Sequence, residues 1–359
     1  MQIEQVRDRL RQYGAKPCHA DVVLQAWAQG RPLDSGHRKA DAFLPARLRA
    51  ALPALGTELG GLARLCSEHP AQDGSVRLLL GLADGQTVES VLLPRAGLCV
   101  SSQVGCAVGC VFCMTGRGGL SRQLGSAELV AQVALARLRT TVRKVVFMGM
   151  GEPAHNLDNV LEAMDLLGTL GGIAHKNLVF STVGDARVFE RLPLGTVKPA
   201  LALSLHSTRA DLRARLLPRA PRMDPIDLVA LGERYARATG YPIQYQWTLL
   251  EGINDTDEEV DRIAALLAGK YAVMNFIAYN AVDGLDFRRP SAERTAALVR
   301  TLHQRGVLAK LRHSAGQEID GGCGQLRART LLHAPVRTGR RAPSAQLPDD
   351  ESRARLEHR

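Results

Sequence analysis

From Leu98 to about Leu311 the chain alternates strand-like and helix-like segments, and this alternation restricts the fold more than any other feature. Leu98–Ser101, Lys144–Met148, Leu178–Ser181, Leu201–Ser204, Gln244–Leu249, Val273–Ala278 and Val307–Leu311 are short apolar runs. Between them, Ala127–Leu138 (with Ser126 as its expected N-cap), Asn156 to about Leu170, Leu228–Ala238 and Arg294–Arg305 carry helical periodicity. Such alternation calls for a parallel sheet with helices packed outside it. About six βα units suit a partial barrel better than a closed eight-stranded one, so the expected fold class is α/β, a partial (βα)6 barrel. Ligands bind such sheets at the C-terminal strand ends. Gly151-Glu152, Ser181, Ser204-Leu205-His206 and Asn280 all fall there. Ser181, Ser204 and Asn280 offer neutral hydrogen bonds, Glu152 a carboxylate. His206 by itself reads as a structural histidine.

The first strand runs into GCAVGCVFCMTG, which places Cys106, Cys110 and Cys113 within eight residues. Thiolate is the usual ligand of an iron–sulfur cluster, and three cysteines leave one iron of a four-iron cluster without a protein ligand. An open metal position is where chemistry takes place. Zinc and packed free thiols are the alternatives, but a structural zinc site needs four ligands and no fourth follows at ligand spacing. Cys99 lies seven residues before the loop. Cys323, between Gly322 and Gly324, reads as an accessible thiol that a lowered pKa would make nucleophilic.

The remaining segments are accessory. Residues 1–70 read as a small helical module, with Asp21 as a candidate N-cap and Cys18 as a packed thiol. Residues 71–97 read as a β-hairpin extension turning at Ala83-Asp84-Gly85. Glu89, on its second strand, reads from its neighbours as a solvated carboxylate. Residues 98–333 form the core, and 334–359, rich in Pro and Arg without an apolar face, read as a disordered basic tail. The net charge of +10 favours a polyanionic partner, while 4% aromatic residues argue against many stacked bases. A charged N-terminus without an apolar leader and the lack of a membrane-length apolar run lead to the expectation of a cytoplasmic, membrane-free monomer.

Taken together, LCVSSQVGC, the CxxxCxxC loop, FMGMGEP, the Ser181 strand end, SLH, GINDTDEE and EIDGGCGQL resemble the RlmN/Cfr family of radical S-adenosylmethionine (SAM) RNA methyltransferases. The resemblance runs from about residue 5 to 332, and it implies that the N-terminal helical module binds RNA. It also implies a 4Fe–4S cluster held by Cys106, Cys110 and Cys113, with SAM contacted by Gly151, Glu152, Ser181, Ser204, Leu205, His206 and Asn280. Cys323 matches the cysteine that takes a methyl group from a first SAM. A radical made from a second SAM activates that methyl, which joins an adenine carbon, most commonly carbon 2, in rRNA or tRNA. Glu89 matches the proton acceptor, and Cys99 matches the cysteine that resolves the adduct through a transient disulfide with Cys323. An external electron donor such as flavodoxin is implied. A radical-SAM enzyme acting on a small molecule or protein, or a non-catalytic iron–sulfur RNA-binding protein, are the rival readings.

Overall fold

The computed structural model describes residues 1–36, 39–282, 284–312, 322 and 324–333. Its strands are β1 (Arg64–Pro70), β2 (Val76–Gly81), β3 (Thr87–Leu93), β4 (Gly97–Cys99), β5 (Gln103–Gly105), β6 (Leu120–Gln123), β7 (Lys144–Phe147), β8 (Leu178–Thr182), β9 (Ala200–Ser204), β10 (Ile243–Leu249), β11 (Ala272–Ala278) and β12 (Ala309–Arg312). Ten of them form one sheet in the order β1-β2-β3-β4-β7-β8-β9-β10-β11-β12. From β4 onward every neighbouring pair is parallel. A helix lies between each parallel strand and the next, so six βα units plus the closing strand β12 build the expected partial barrel.

Alternation along each strand sorts side chains between two environments. Phe147, Phe180, Tyr245, Trp247 and Phe276 are fully buried in the core between the sheet and its helices, each contributing roughly 1.5–3 kcal/mol of burial. Their strand neighbours face the lumen, where Val91, Cys99, Val146, Val179 and Ala202 make a smaller cluster.

Helices Ile3–Gln12, Pro17–Ala28 and Ala46–Gly61 share the main core and pack toward helix Ser126–Arg137. Three local expectations change here. Helix Pro17–Ala28 begins at its proline, which needs no N–H partner, so Asp21 lies inside it and pairs with Arg7 at 2.9 Å. Cys18 on the same helix is exposed rather than packed. Gly125, not Ser126, is the N-cap of helix Ser126–Arg137, because the Ser126 hydroxyl accepts from Ile3 N at 2.8 Å and donates to Glu162. That serine docks the N-terminal helix. The segment Arg64–Pro70, expected within the helical module, is the edge strand β1, antiparallel to β2. Among the described residues no helix is long and apolar enough to cross a membrane. Cys323 and residues 334–359 lie outside the described residues.

Candidate active site

The segment after β4 folds back through β5, which pairs with β6 to brace the cysteine loop. Gly105 has φ +83°, and a Cβ there would lie 2.1 Å from the Gly119 carbonyl oxygen, so only glycine fits. The loop is tied down by Cys106 N donating to Gly119 O (2.9 Å), Val111 N to Leu216 O (3.1 Å) and Arg219 Nη1 to Ala107 O (3.1 Å). Cys106, Cys110 and Cys113 line one cavity of about 320 Å³ at the C-terminal ends of the strands. Burial pushes the Cys106 thiol up to about 11, with Glu152 and Cys113 adding to the rise. Cys110 is raised well above its ordinary value, first by burial and then by the other two thiols.

Six of the seven expected SAM-contact residues, Gly151, Glu152, Ser181, Ser204, His206 and Asn280, line the same cavity. Leu205 does not; its side chain is in the main core and its N–H donates to Gln246 O at 3.0 Å. Gly151 sits at φ +105° with its Cα against Gln103, where a Cβ would meet that side chain at 2.6 Å. Glu152 is buried and accepts from Ala154 N (3.1 Å) and Val183 N (3.0 Å). Burial outweighs these bonds and pushes its carboxyl up to about 7. His206, at φ +58°, accepts from Thr248 N through Nδ1 at 3.0 Å, which leaves Nε2 as the ring donor. Burial holds its pKa down at about 3, so the ring is neutral. The Asn280 Oδ1 atom is buried with no hydrogen-bond partner among the described residues, an acceptor available to a ligand.

Glu89 is buried rather than solvated, 2% exposed. Arg77 and Glu89 are diagonal neighbours across β2 and β3, since Arg77 pairs with Val91 and Leu79 with Glu89. Their ion pair measures 2.8 Å, and Arg77 is also buried. The other carboxylate oxygen accepts from Arg327 N at 2.8 Å, and Arg77 Nη1 reaches Gly322 O at 3.4 Å. Gly322 itself lines the thiol cavity. A Cβ on Gly324 would fall 2.8 Å from the hydroxyl of Thr115, two residues after Cys113 in the cysteine loop. Cys99 carries a free thiol, pushed up to about 11 by burial. It lies within the electrostatic reach of Arg77 and Glu89 but outside the cavity lining.

Sequence reading missed two cations. Arg77 was detectable as a charge inside an apolar strand, two residues out of step with Glu89 on the paired strand. Arg213 gave no such signal. It is buried, donates to Val183 O and to Ser204 O (3.3 Å), and faces the charges of Cys110 and Glu152.

Among the described residues no three His, Cys, Asp or Glu side chains converge on a single ion. Three thiols spread around one cavity match instead a cluster in which each thiolate binds a different iron. The buried Arg213 offsets the negative charge such a group brings. The donor set and the unpartnered Asn280 oxygen fit a cluster with SAM beside it, a site of the radical-SAM class.

Comparison with known proteins agrees. Residues 100–267 match the Radical SAM superfamily model. The chain is 70% identical over 97% of its length to a "Probable RNA methyltransferase" of Thiobacillus denitrificans, covering 96% of that protein. It is 72% identical over 92% of its length to a similarly named protein of Aromatoleum aromaticum, covering 93% of it. The crystal structure of a radical SAM methyltransferase from Sphaerobacter thermophilus superposes with a TM-score of 0.78 at 34% identity, covering 90% of this chain and 97% of that one. The chain belongs to the RlmN/Cfr family of radical-SAM methyltransferases. It is a SAM-dependent methyltransferase whose cofactors are a 4Fe–4S cluster and SAM.

Proposed function

We propose that the chain methylates a ring carbon of adenosine, carbon 2, in rRNA or tRNA, through an S-methyl group on Cys323. The RNA substrate follows the names carried by its relatives. The observation that carries the methyl-cysteine reading is the meeting of both neighbours of Cys323 with the cysteine-loop cavity: Gly322 lines it and Gly324 packs on Thr115.

The residues divide the work as follows. Cys106, Cys110 and Cys113 hold the cluster, which when bound supplies the electron that cleaves SAM to a 5′-deoxyadenosyl radical. Glu152, Ser181, Ser204, His206 and Asn280 orient SAM by hydrogen bonds, and Gly151 lets it approach the backbone. The Cys323 thiolate attacks the SAM methyl group and releases S-adenosylhomocysteine. The 5′-deoxyadenosyl radical made from a second SAM takes one hydrogen atom from that methyl group and becomes 5′-deoxyadenosine. The methylene carbon left on sulfur bonds to the adenine carbon, joining protein and RNA. The adduct radical passes one electron to an external one-electron carrier of the flavodoxin class, and Glu89 removes the proton from the base carbon. The Cys99 sulfur then attacks the Cys323 sulfur, breaking its bond to the new carbon. A Cys99–Cys323 disulfide forms, and the released carbon takes up a proton to become the methyl group.

Nucleoside mass analysis of rRNA and tRNA from a strain lacking this chain tests the reading. Loss of a carbon-methylated adenosine is expected, and an unchanged profile would refute it. Complementation with Cys323→Ala must fail to restore the modified base. Restoration would leave the methyltransferase class standing but remove the methyl-cysteine route.

A further inference from the structure

The lumen has a second mouth, at the N-terminal starts of the strands. Lys144 opens β7, Lys176 precedes β8, Tyr241 precedes β10, and Asn275, Lys310 and Arg312 stand on β11 and β12. These six line a cavity of about 460 Å³, separate from the one that holds the thiols. Four are cationic, or can be, and no described carboxylate lines the cavity.

Asn275 supplies an independent observation. It is fully buried, and its Oδ1 accepts from Arg312 Nε at 2.9 Å. A guanidinium can only donate, so this bond fixes the amide orientation and turns Nδ2 the other way. Nδ2 is buried with no hydrogen-bond partner among the described residues. A buried amide donor without an acceptor costs about 1–3 kcal/mol unless a ligand satisfies it. Lys144 is half-buried, and its pKa is lowered by burial and by Arg312, so these cations are close enough to repel. The charged side chains lining the cavity are all cationic, and the unpartnered Asn275 amide adds a donor. That excludes a metal cation and favours an anion with several acceptor oxygens.

We propose that the N-terminal mouth of the barrel is a phosphate-binding site formed by Lys144, Lys176, Asn275, Lys310 and Arg312. The rings of Tyr241 and Tyr271 on its wall provide apolar surface beside the charges, as a phosphate attached to a nucleoside requires. The phosphate comes either from an RNA backbone or from a free ion. The site shares no residue with the methyl-transfer machinery and does not depend on that reading.

The test uses the full-length, anaerobically purified protein with two probes, inorganic phosphate followed by ³¹P line broadening and a short single-stranded RNA followed by fluorescence anisotropy across a salt series. Saturable phosphate binding is expected, weakened roughly tenfold or more in K144Q/K310Q. If RNA is the source, the variant also loses RNA affinity, its slope of log K against log salt falls by roughly one to two, and inorganic phosphate competes. If the source is a free ion, RNA binding is unchanged while phosphate binding is lost. Asn275→Asp, nearly the same size, replaces the unused donor with a negative charge and must weaken phosphate binding even if the lysine variant folds poorly. Absence of saturable phosphate binding by the wild-type protein, or full binding by the folded variants, overturns the proposal.

Discussion

The two mouths of one lumen are built from opposite chemistry. At the C-terminal ends of the strands the walls carry thiols, a carboxylate, neutral amides and hydroxyls, with Arg213 sealed behind them. At the other mouth the walls carry lysines, an arginine and an amide donor without a described carboxylate. Between the two mouths, Val146, Val179 and Ala202 fill the space with apolar side chains. A sheet whose residues alternate in orientation can therefore host bond-making at one end and charge recognition at the other, insulated by a few methyl groups.

The separation can be broken from either side. The largest effect is expected at the cysteine loop: Cys106→Ala should abolish the visible absorption of the reconstituted cluster and SAM cleavage together, while phosphate binding at the lower mouth persists. Retained 5′-deoxyadenosine formation would contradict the ligand assignment. Next comes Arg77→Met, which leaves Glu89 as a buried, unpaired charge and should cost about 3–5 kcal/mol in urea unfolding. Arg77→Met combined with Glu89→Met should recover most of that loss, though not activity. A double variant no more stable than Arg77→Met would show that the pair is not the source. Gly151→Ala puts a methyl group 2.6 Å from the Gln103 side chain at a positive φ, and the KM for SAM should rise roughly tenfold, about 1.4 kcal/mol. An unchanged KM would mean that SAM does not approach this backbone.

The smallest effect concerns pH. Burial lowers the His206 pKa from 6.5 to about 3, so the folded protein disfavours the protonated ring. The stability this neutral ring contributes is complete above pH 6.5 and is lost as pH falls from there through about 3. His206→Gln should show a shallower decline of the urea midpoint over that interval. Identical slopes would argue that the ring is solvated, and no change is expected at the lower mouth, where no histidine lines the cavity among the described residues.

What could be read from the chain depended on how local the feature was. The cysteine loop and the polar strand ends were legible, because eight residues or one strand end contain the whole signal. The six βα units followed from periodicity. Glu89 read as solvated because nothing in QTVESVLLP reports that helix Gln325–His333 covers this strand, more than two hundred residues later in the chain. Arg213 was invisible because its partners are backbone carbonyls, which carry no sequence signature. The lower mouth left no local signal, since Lys144, Lys176 and Lys310 stand far apart in the chain and only the fold gathers them.

The register between β3 and β4 has one more consequence. Val91 pairs with Cys99, so Glu89 lies two residues earlier on β3 and on the same face, about 7 Å from that level. A hydrogen-bonded ladder sets this offset, and the connection from Leu93 to Gly97 can lengthen or shorten without altering it. Carboxylate and thiol thus behave as marks on one ruler. Strand pairing, rather than loop length, therefore holds the distance between the Glu89 and Cys99 side chains.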